Sequence, residues 1–222
     1  KVISFGYSKK SGTKFLNIVK KNKRFCLTLS VDNKKFLVDI NSNSSTYIMN
    51  ILCCIATLSE LGLDLQKIGN FFTSSKLLYG RGKITKVKKF NKRFFLVDES
   101  YNANPLSVRS AIENFSKIKK NRKRKYFLFG DMLELGRNSQ IYHKKISKFI
   151  NRSDIDKIFV YGKKSEETYK HIKKSKKGEI IKNFEAFNAA ISKILKNGDF
   201  LMIKGSNATK LHKISKNYLG GN

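Results

Sequence analysis

The chain has 222 residues, 40% of them apolar, enough to bury one or two real cores. Its 47 Lys and Arg against 16 Asp and Glu give a formal net charge of +31, whose first reading is a polyanionic partner. The cations are spread over helix faces, turns and loops, and Lys, Asn, Ile and Phe abound while Pro occurs once, so an AT-rich coding sequence is the favoured cause and nucleic acid is not expected as a partner.

In chain order, the opening reads as strands and turns: Val2–Phe5, Lys14–Val19, Phe25–Leu29 and Lys35–Ile40, the last two joined across Asp32-Asn33 as a hairpin. Gly6 to Lys14 (GYSKKSGTK) imitates a phosphate-binding loop, but five residues separate its glycines, Thr13 precedes Lys14, and strand-like sequence follows. We therefore do not read it as one. Lys1 begins without methionine on what looks like an interior strand, so the chain is expected to be a fragment. Cys26, Cys53 and Cys54 are odd in number and form no CxxC pair. They read as core thiols in a reducing compartment, neither a disulfide framework nor a zinc site.

Ser44 to Gly62 reads as a helix capped by Ser44 or Ser45, with Ile48, Ile51, Leu52, Ile55, Leu58 and Leu61 on a broad apolar face. Asn50 lies within that face and is either a core hydrogen-bonder or a reader of a ligand's polar edge. Asp64 to Ser74 reads as a second short helix with Leu65, Ile68, Phe71 and Phe72 inward. Gly80-Arg81-Gly82 then lets backbone approach a ligand closely, beside an arginine fork suited to phosphate.

The strand Arg93–Val97 leads into Asp98-Glu-Ser-Tyr-Asn-Ala-Asn-Pro105, and Val108, Ile112, Phe115 and Ile118 come next at helical spacing. From there strands at 125–129, 156–161, 179–181 and 200–203 alternate with helices at 140–150, 165–174, 184–195 and after Ser206. That alternation predicts a mostly parallel, doubly wound α/β sheet with right-handed crossovers. The loops Asp98–Pro105, Gly130–Gly136, Gly162 and Lys204–Ser206 should then line one mouth at the carboxyl ends of the strands. Lys204-Gly205-Ser206 at a helix start suits an anion, or is a tight turn with Ser206 as the cap. His143 comes after Asp131 and Glu134 without metal-ligand spacing, His171 and His212 are expected to be exposed, and no nucleophile arrangement can be argued. No apolar run is long enough to span a bilayer and no signal peptide is present, so no membrane and a cytoplasmic location are expected.

Asp98–Pro105 (DESYNANP) with Ser107 and Ala111, then Phe129-Gly-Asp-Met-Leu-Glu-Leu-Gly136, His143 and Ile203-Lys-Gly-Ser206, in that order, resemble the signature of the Mur ligases. Within that family they resemble the branch that joins D-Ala-D-Ala to UDP-MurNAc-tripeptide. The upstream Asn50 and Gly80-Arg81 are similar to its nucleotide-site residues. The resemblance covers nearly the whole chain. It implies an ATP-dependent amide ligase of peptidoglycan precursor synthesis, expected as a monomer. Residues 1–82 would be the remnant of a central ATPase domain, and 83–222 a Rossmann-like C-terminal domain.

By that resemblance Asn50 reads the adenine, Arg81 neutralises phosphate, and Asp98 binds the ribose region. Tyr101, Asn102 and Asn104 shape the same cleft. Asp131, Met132, Glu134, Leu135, His143 and Ser206 lie towards the dipeptide, and Lys204 joins Arg81 and Asp98 as a catalytic group. The sequence departs from the family pattern at Ser44, Thr46 and Tyr47, where a Gly-x-His-Asn-like run is usual, and at Asn207, usually arginine. The phosphate-binding Gly-Lys-Thr loop, the Mg²⁺ ligands and the family's modified lysine are expected upstream, which implies a fragment inactive alone. A basic nucleic-acid-binding module and a non-catalytic nucleotide-binding domain remain as alternatives, the first predicting a clustered basic face.

Overall fold

The computed structural model describes residues 2–22, 24–68, 71–74, 79–119 and 121–220. It divides into two compact units, Lys1–Lys76 and Leu77–Asn222.

The first unit is a four-stranded sheet in the order β1 (Phe5–Gly6), β2 (Thr13–Lys21), β3 (Arg24–Val31), β4 (Lys34–Ile40), covered by α1 (Ser45–Glu60). Alternation along β3 sends Leu27, Leu29 and Val31 to one side, where they pack with Ile48, Ile51, Leu52 and Ile55 of α1. Asp32 and Asn33 both adopt positive φ (47° and 66°) and close the β3–β4 hairpin. The Ser44 hydroxyl caps α1 by accepting the Tyr47 N–H at 3.2 Å. The expected first strand pairs only at Phe5–Gly6, parallel to Thr13–Lys14. The glycine-rich stretch between them runs into β2, a strand, as its residue order requires.

Three expectations in this unit are corrected. Of the cysteines only Cys26 is buried; Cys53 is exposed and Cys54 half-buried, because at about 100° per residue both turn past the arc of α1 that Ile48, Ile51, Leu52 and Ile55 bury against the sheet. The helix expected over Asp64–Ser74 is instead a 3₁₀ turn at Leu65–Ile68 and a short α2 at Phe71–Ser74, with 69–70 outside the described residues. Phe72 is buried there, but Phe71 is turned outward, the two rings meeting edge to face.

The second unit is a six-stranded sheet in the order β5 (Lys83–Lys89), β6 (Lys92–Asp98), β10 (Phe200–Lys204), β7 (Lys125–Gly130), β8 (Lys157–Tyr161), β9 (Lys177–Ile181). All its pairs are parallel except the β5–β6 hairpin, which turns at Phe90 and Asn91 with positive φ. Helices α3 (Pro105–Lys117), α4 (Ser139–Arg152) and α5 (Ser165–His171) connect β6 through β9. Val108, Ala111, Ile112 and Phe115 of α3 share one core with Phe127, Phe129 and Met202 of the sheet and Ile146 and Ile150 of α4. Helices α6 (Phe184–Ile194) and α7 (His212–Tyr218) cover the opposite face, where Phe187 and Ile214 meet Leu96, Leu128 and Leu201. The sheet is therefore doubly wound. Strand β10 inserts between β6 and β7, so the winding reverses there, and the carboxyl ends of these three strands form the switch point.

Two further corrections fall in this unit. The final helix does not start at Ser206: a 3₁₀ turn at Asn207–Thr209 and a left-handed Lys210 (φ 59°) precede α7. His212 is half-buried at the start of α7 rather than exposed.

Lys125 opens β7 with a wholly buried side chain, its ammonium 2.7 Å from Asp154, whose own side chain is 38% exposed. The Ser116 carbonyl accepts from it at 3.2 Å, and the Phe115 ring lies 5.5 Å away. Removing the acid strands a buried cation, whereas removing the cation leaves an acid that water can reach. Asp154→Ala should cost about 2 kcal/mol, below the ~3–5 of a fully buried pair, and Lys125→Met under about 1 kcal/mol. Urea unfolding of both variants checks this; equal losses would refute the asymmetry.

Candidate functional site at the switch point

The site is assembled at the end of β6 by a buried carboxylate. Asp98 is 4% exposed, and its oxygens accept the Ser100 hydroxyl at 2.6 Å, the Ser100 N–H at 3.2 Å and the Gly80 N–H at 3.0 Å. Gly80 is needed at its position twice over. Its φ is +74°, and a Cβ would fall 2.5 Å from the Tyr101 nitrogen, which itself donates to the Gly80 carbonyl at 3.3 Å. The loop so fixed carries Arg81, whose guanidinium lies 4.2 Å above the Tyr101 ring. Both side chains are exposed, so the arginine fork rests over the ring yet is open to an oxyanion.

The turn that bears Tyr101 is strapped to β10 from below. The buried Lys204 ammonium donates to the Asn102 carbonyl at 3.0 Å and reaches Glu99 at 3.4 Å. Burial pushes the Glu99 carboxyl above the usual carboxylate range and the Lys204 ammonium below its own, and the attraction within the pair opposes both shifts. Asn104 caps α3: its side-chain oxygen accepts the Ser107 N–H at 2.8 Å, and the Ser107 hydroxyl accepts the Asn104 N–H at 3.1 Å in return.

Ser206 joins three loops. Its hydroxyl accepts the Leu133 N–H at 2.9 Å and donates to the Ala103 carbonyl at 3.2 Å, while its own N–H donates to the Asp131 carbonyl at 2.9 Å. It is a cross-brace, not a helix cap. The Asp131 carboxylate accepts the Ser165 N–H at 2.7 Å and fills the space a side chain at Gly162 would need. His143 is wholly buried. Its Nε2 accepts the Met132 N–H at 3.0 Å and its Nδ1 faces the Ser139 carbonyl at 2.8 Å, which assigns the neutral Nδ1–H tautomer. Burial lowers its pKa.

The expected residues of this unit thus converge on one mouth but divide in kind. Arg81, Tyr101, Asn102 and Glu134 are exposed, and Leu135 is half-buried. Asp98, Lys204, Ser206, Met132 and His143 are buried struts whose polar atoms hold the loops. Asn50 belongs to the first unit, where it is exposed on α1 rather than within the apolar face, one position off the buried row of Ile48, Ile51 and Ile55. Four contributors carried no role in the sequence reading: Glu99, Ser100, Ser165 and Asn207, whose amide donates to the Tyr101 carbonyl at 3.3 Å. Glu99 and Ser100 sat inside the quoted motif, and Ser165 three residues after Gly162 is a helix-start signal. Among the described residues no three His, Cys, Asp or Glu side chains converge to hold a metal ion, and no helix is long and apolar enough to cross a membrane. These residues therefore do not fit a Mg²⁺ site by themselves.

Residues 83–207, more than half the chain, match the family model described as Mur ligase, glutamate ligase domain. The chain belongs to the Mur ligase family. Among curated relatives of this Mur ligase chain, the UDP-N-acetylmuramoyl-tripeptide–D-alanyl-D-alanine ligase of Rickettsia prowazekii is 26% identical over 217 residues, covering 98% of this chain and 47% of that protein. The ligase of the same name from Buchnera aphidicola (subspecies Baizongia pistaciae) is 30% identical over 223 residues, covering 96% and 45%. The chain spans about half the length of these relatives. In fold it is similar to the MurF ligase of Thermotoga maritima, solved in complex with ADP (TM-score 0.75, 20% identity, 96% of this chain and 47% of that one). It is also similar to MurF from Acinetobacter baumannii (TM-score 0.78, 19% identity, 98% and 46%).

The His143 strut gives this Mur ligase chain a pH signature. A folded-state pKa below the unfolded ~6.5 contributes stability that is complete above that value and lost as pH falls from it through the lowered one. Unfolding free energy measured in urea should fall more steeply from pH 7.5 to 5.5 in the parent than in His143→Gln; parallel profiles would show that the imidazole is not buried neutral.

Proposed function

We propose that this chain is the nucleotide-closing and acceptor-binding half of an ATP-dependent ligase that adds D-Ala-D-Ala to UDP-MurNAc-tripeptide in the cytoplasm. The observation that carries the reading is the exposed Arg81 fork, anchored over Tyr101 at the switch point by the buried Asp98. The names of the curated relatives supply the reaction, and the ADP bound in the Thermotoga structure supports the nucleotide. In this reading residues 1–82 complete a central ATP-binding domain and 83–222 form the C-terminal ligase domain.

The reaction joins two steps. The terminal carboxylate of the tripeptide attacks the γ-phosphorus of ATP, giving an acyl phosphate and ADP. The amine of D-Ala-D-Ala then adds to the acyl carbon, and the tetrahedral intermediate expels phosphate as the amide forms. Such chemistry is carried mostly by positioning and by neutralising charge. Arg81 supplies the neutralising fork. Asp98 holds the Arg81 loop through Gly80 and has lone-pair capacity left for a ribose hydroxyl. Tyr101, Asn102 and Asn104 form the wall beside the nucleotide, and Asn50 reads the adenine edge.

Glu134, Leu135 and Asp131 face the dipeptide end. Met132, His143 and Ser206 act there by fixing the loop, and Lys204 acts by strapping the Tyr101 turn to β10. The Gly6–Lys14 stretch leads into a strand rather than a helix, so it is not itself a phosphate cradle, and the described residues hold no cluster that would take Mg²⁺.

Two measurements test the reading. Arg81→Ala should weaken ADP binding about tenfold, the value of one charge-assisted contact, while Arg109→Ala on the exposed face of α3 leaves it unchanged. Incubated with ATP, UDP-MurNAc-tripeptide and D-Ala-D-Ala, the chain should release no phosphate. Substrate-dependent release would overturn the proposed inactivity, and equal ADP affinity in the two variants would remove Arg81 from the site.

A further inference from the structure

The second unit has a pocket at the opposite end of its sheet from the switch point. It has a volume of about 460 Å³ and is lined by Lys86, Lys88, Arg93, Phe95, Asn91 and Asn197, with Gly198 at its edge. The ladder explains the grouping. Lys86 stands opposite Phe95 and Lys88 opposite Arg93 on one face of the β5–β6 hairpin, while Val87, Phe94 and Leu96 on the other face enter the core. Two cations directly opposed across a ladder repel, at a small cost in stability. Among the described residues neither of them, nor Lys86, has a side-chain partner that would relieve it.

The surroundings add charge of the same sign. Lys123 lays its stem against Gly198, 3.0 Å from where a Cβ would stand. Lys119, Arg122 and Arg124 are exposed on the same α3–β7 connection. Asp199, next to Gly198 in the chain, is buried, and its oxygens accept the Arg124 N–H at 2.9 Å and the Lys196 N–H at 2.8 Å. It is therefore not presented to the pocket. Phe95 contributes a half-buried ring to the lining, stacked on Phe200 with centroids 5.0 Å apart and planes 19° off parallel.

We propose that this pocket and the adjoining basic connection form a binding site for single-stranded nucleic acid, with a phosphate among Lys86, Lys88 and Arg93 and a base against Phe95. Unopposed cations beside an aromatic ring are the two elements such sites combine. The volume suits one nucleotide. A concave lining with an aromatic ring favours an unstacked base over a duplex, whose bases are already paired, and over a lipid surface, which is flat.

The test is fluorescence anisotropy of a labelled ten-nucleotide uridine RNA with the 222-residue chain. The site variant Lys86→Gln/Lys88→Gln/Arg93→Gln is compared with a control of equal charge on exposed helix positions, Lys144→Gln/Lys148→Gln/Lys213→Gln. The site variant should bind at least about tenfold more weakly at 0.15 M salt and flatten the slope of log K against log salt by about 0.7, as loss of the one single-strand phosphate held among the three cations requires. The control should change affinity less than about twofold. Phe95→Leu, which keeps every charge, should weaken binding at least about threefold. Equal losses in the two triple variants would show only the average charge of the chain and overturn the site. So would tighter binding to duplex RNA, or to phosphatidylglycerol vesicles, than to the single strand. Should the triple variant fail to fold in a thermal melt, Lys86→Glu against Lys144→Glu gives the same comparison.

Discussion

A carboxylate buried at the end of a strand must be supplied with donors or it is expelled, and Asp98 obtains them from Gly80 and Ser100. That requirement shapes the whole mouth. It draws the loop ahead of β5 onto the turn after β6, close enough that only glycine fits at position 80. The approach in turn lays Arg81 on Tyr101. The arginine thus owes its place to an acid it does not touch.

The same economy runs through the other loops at the switch point. Ser206 bonds to the chain after β6 and after β7 from its own place after β10, so one hydroxyl and one amide register three strand ends. Lys204 and Glu99 make a strap that burial weakens as a pair of charges but that the Asn102 carbonyl completes as a hydrogen-bonded unit. His143 does for Met132 what Asp131 does for Ser165, giving a backbone amide an acceptor where water cannot reach. A mouth built this way has rigid walls, and its few exposed groups stand on held backbone. That is the arrangement a charge-neutralising site needs, because donors that are already oriented lose little on meeting a developing charge.

The sheet and its mouth were legible because their signals are local. Helical and strand periods alternate cleanly from Arg93 onward, Pro105 suits a first helical turn, and the strand-end loops must share an edge in any parallel sheet. The insertion of β10 between β6 and β7 has no local signal, since it depends on which buried strand faces pack together. Residue type likewise does not reveal direction. Asn50 and Cys53 flank the buried row of α1 by one position, and Phe71 differs from Phe72 only in which side of a short turn it occupies. For the same reason residue type did not reveal that Lys204, expected as a catalytic group, and His143, expected towards the dipeptide, hold loops through buried hydrogen bonds: a polar residue beside a loop serves either end, and only the partners decide.

Charge shows the same limit of composition as a guide. A coding bias towards lysine, the cause favoured from composition, would account for the average of the chain, yet it says nothing of where repulsion is left unrelieved. At the mouth the acids Asp98, Glu99 and Asp131 are spent on amides and on one buried lysine. At the far end Asp154, Asp156 and Asp199 are spent in the same way, on Lys125 and on backbone N–H groups. These acids thus serve the fold at both ends, and although Glu134 stays exposed at the mouth, none of them is left to offset the cations of the far-end pocket. The two ends differ in how the cation is held. Arg81 rests over an aromatic ring, whereas Lys88 and Arg93 oppose each other across a ladder with no acid between them. A guanidinium over a ring is stable without a ligand; an opposed pair of cations is stabilised by an anion.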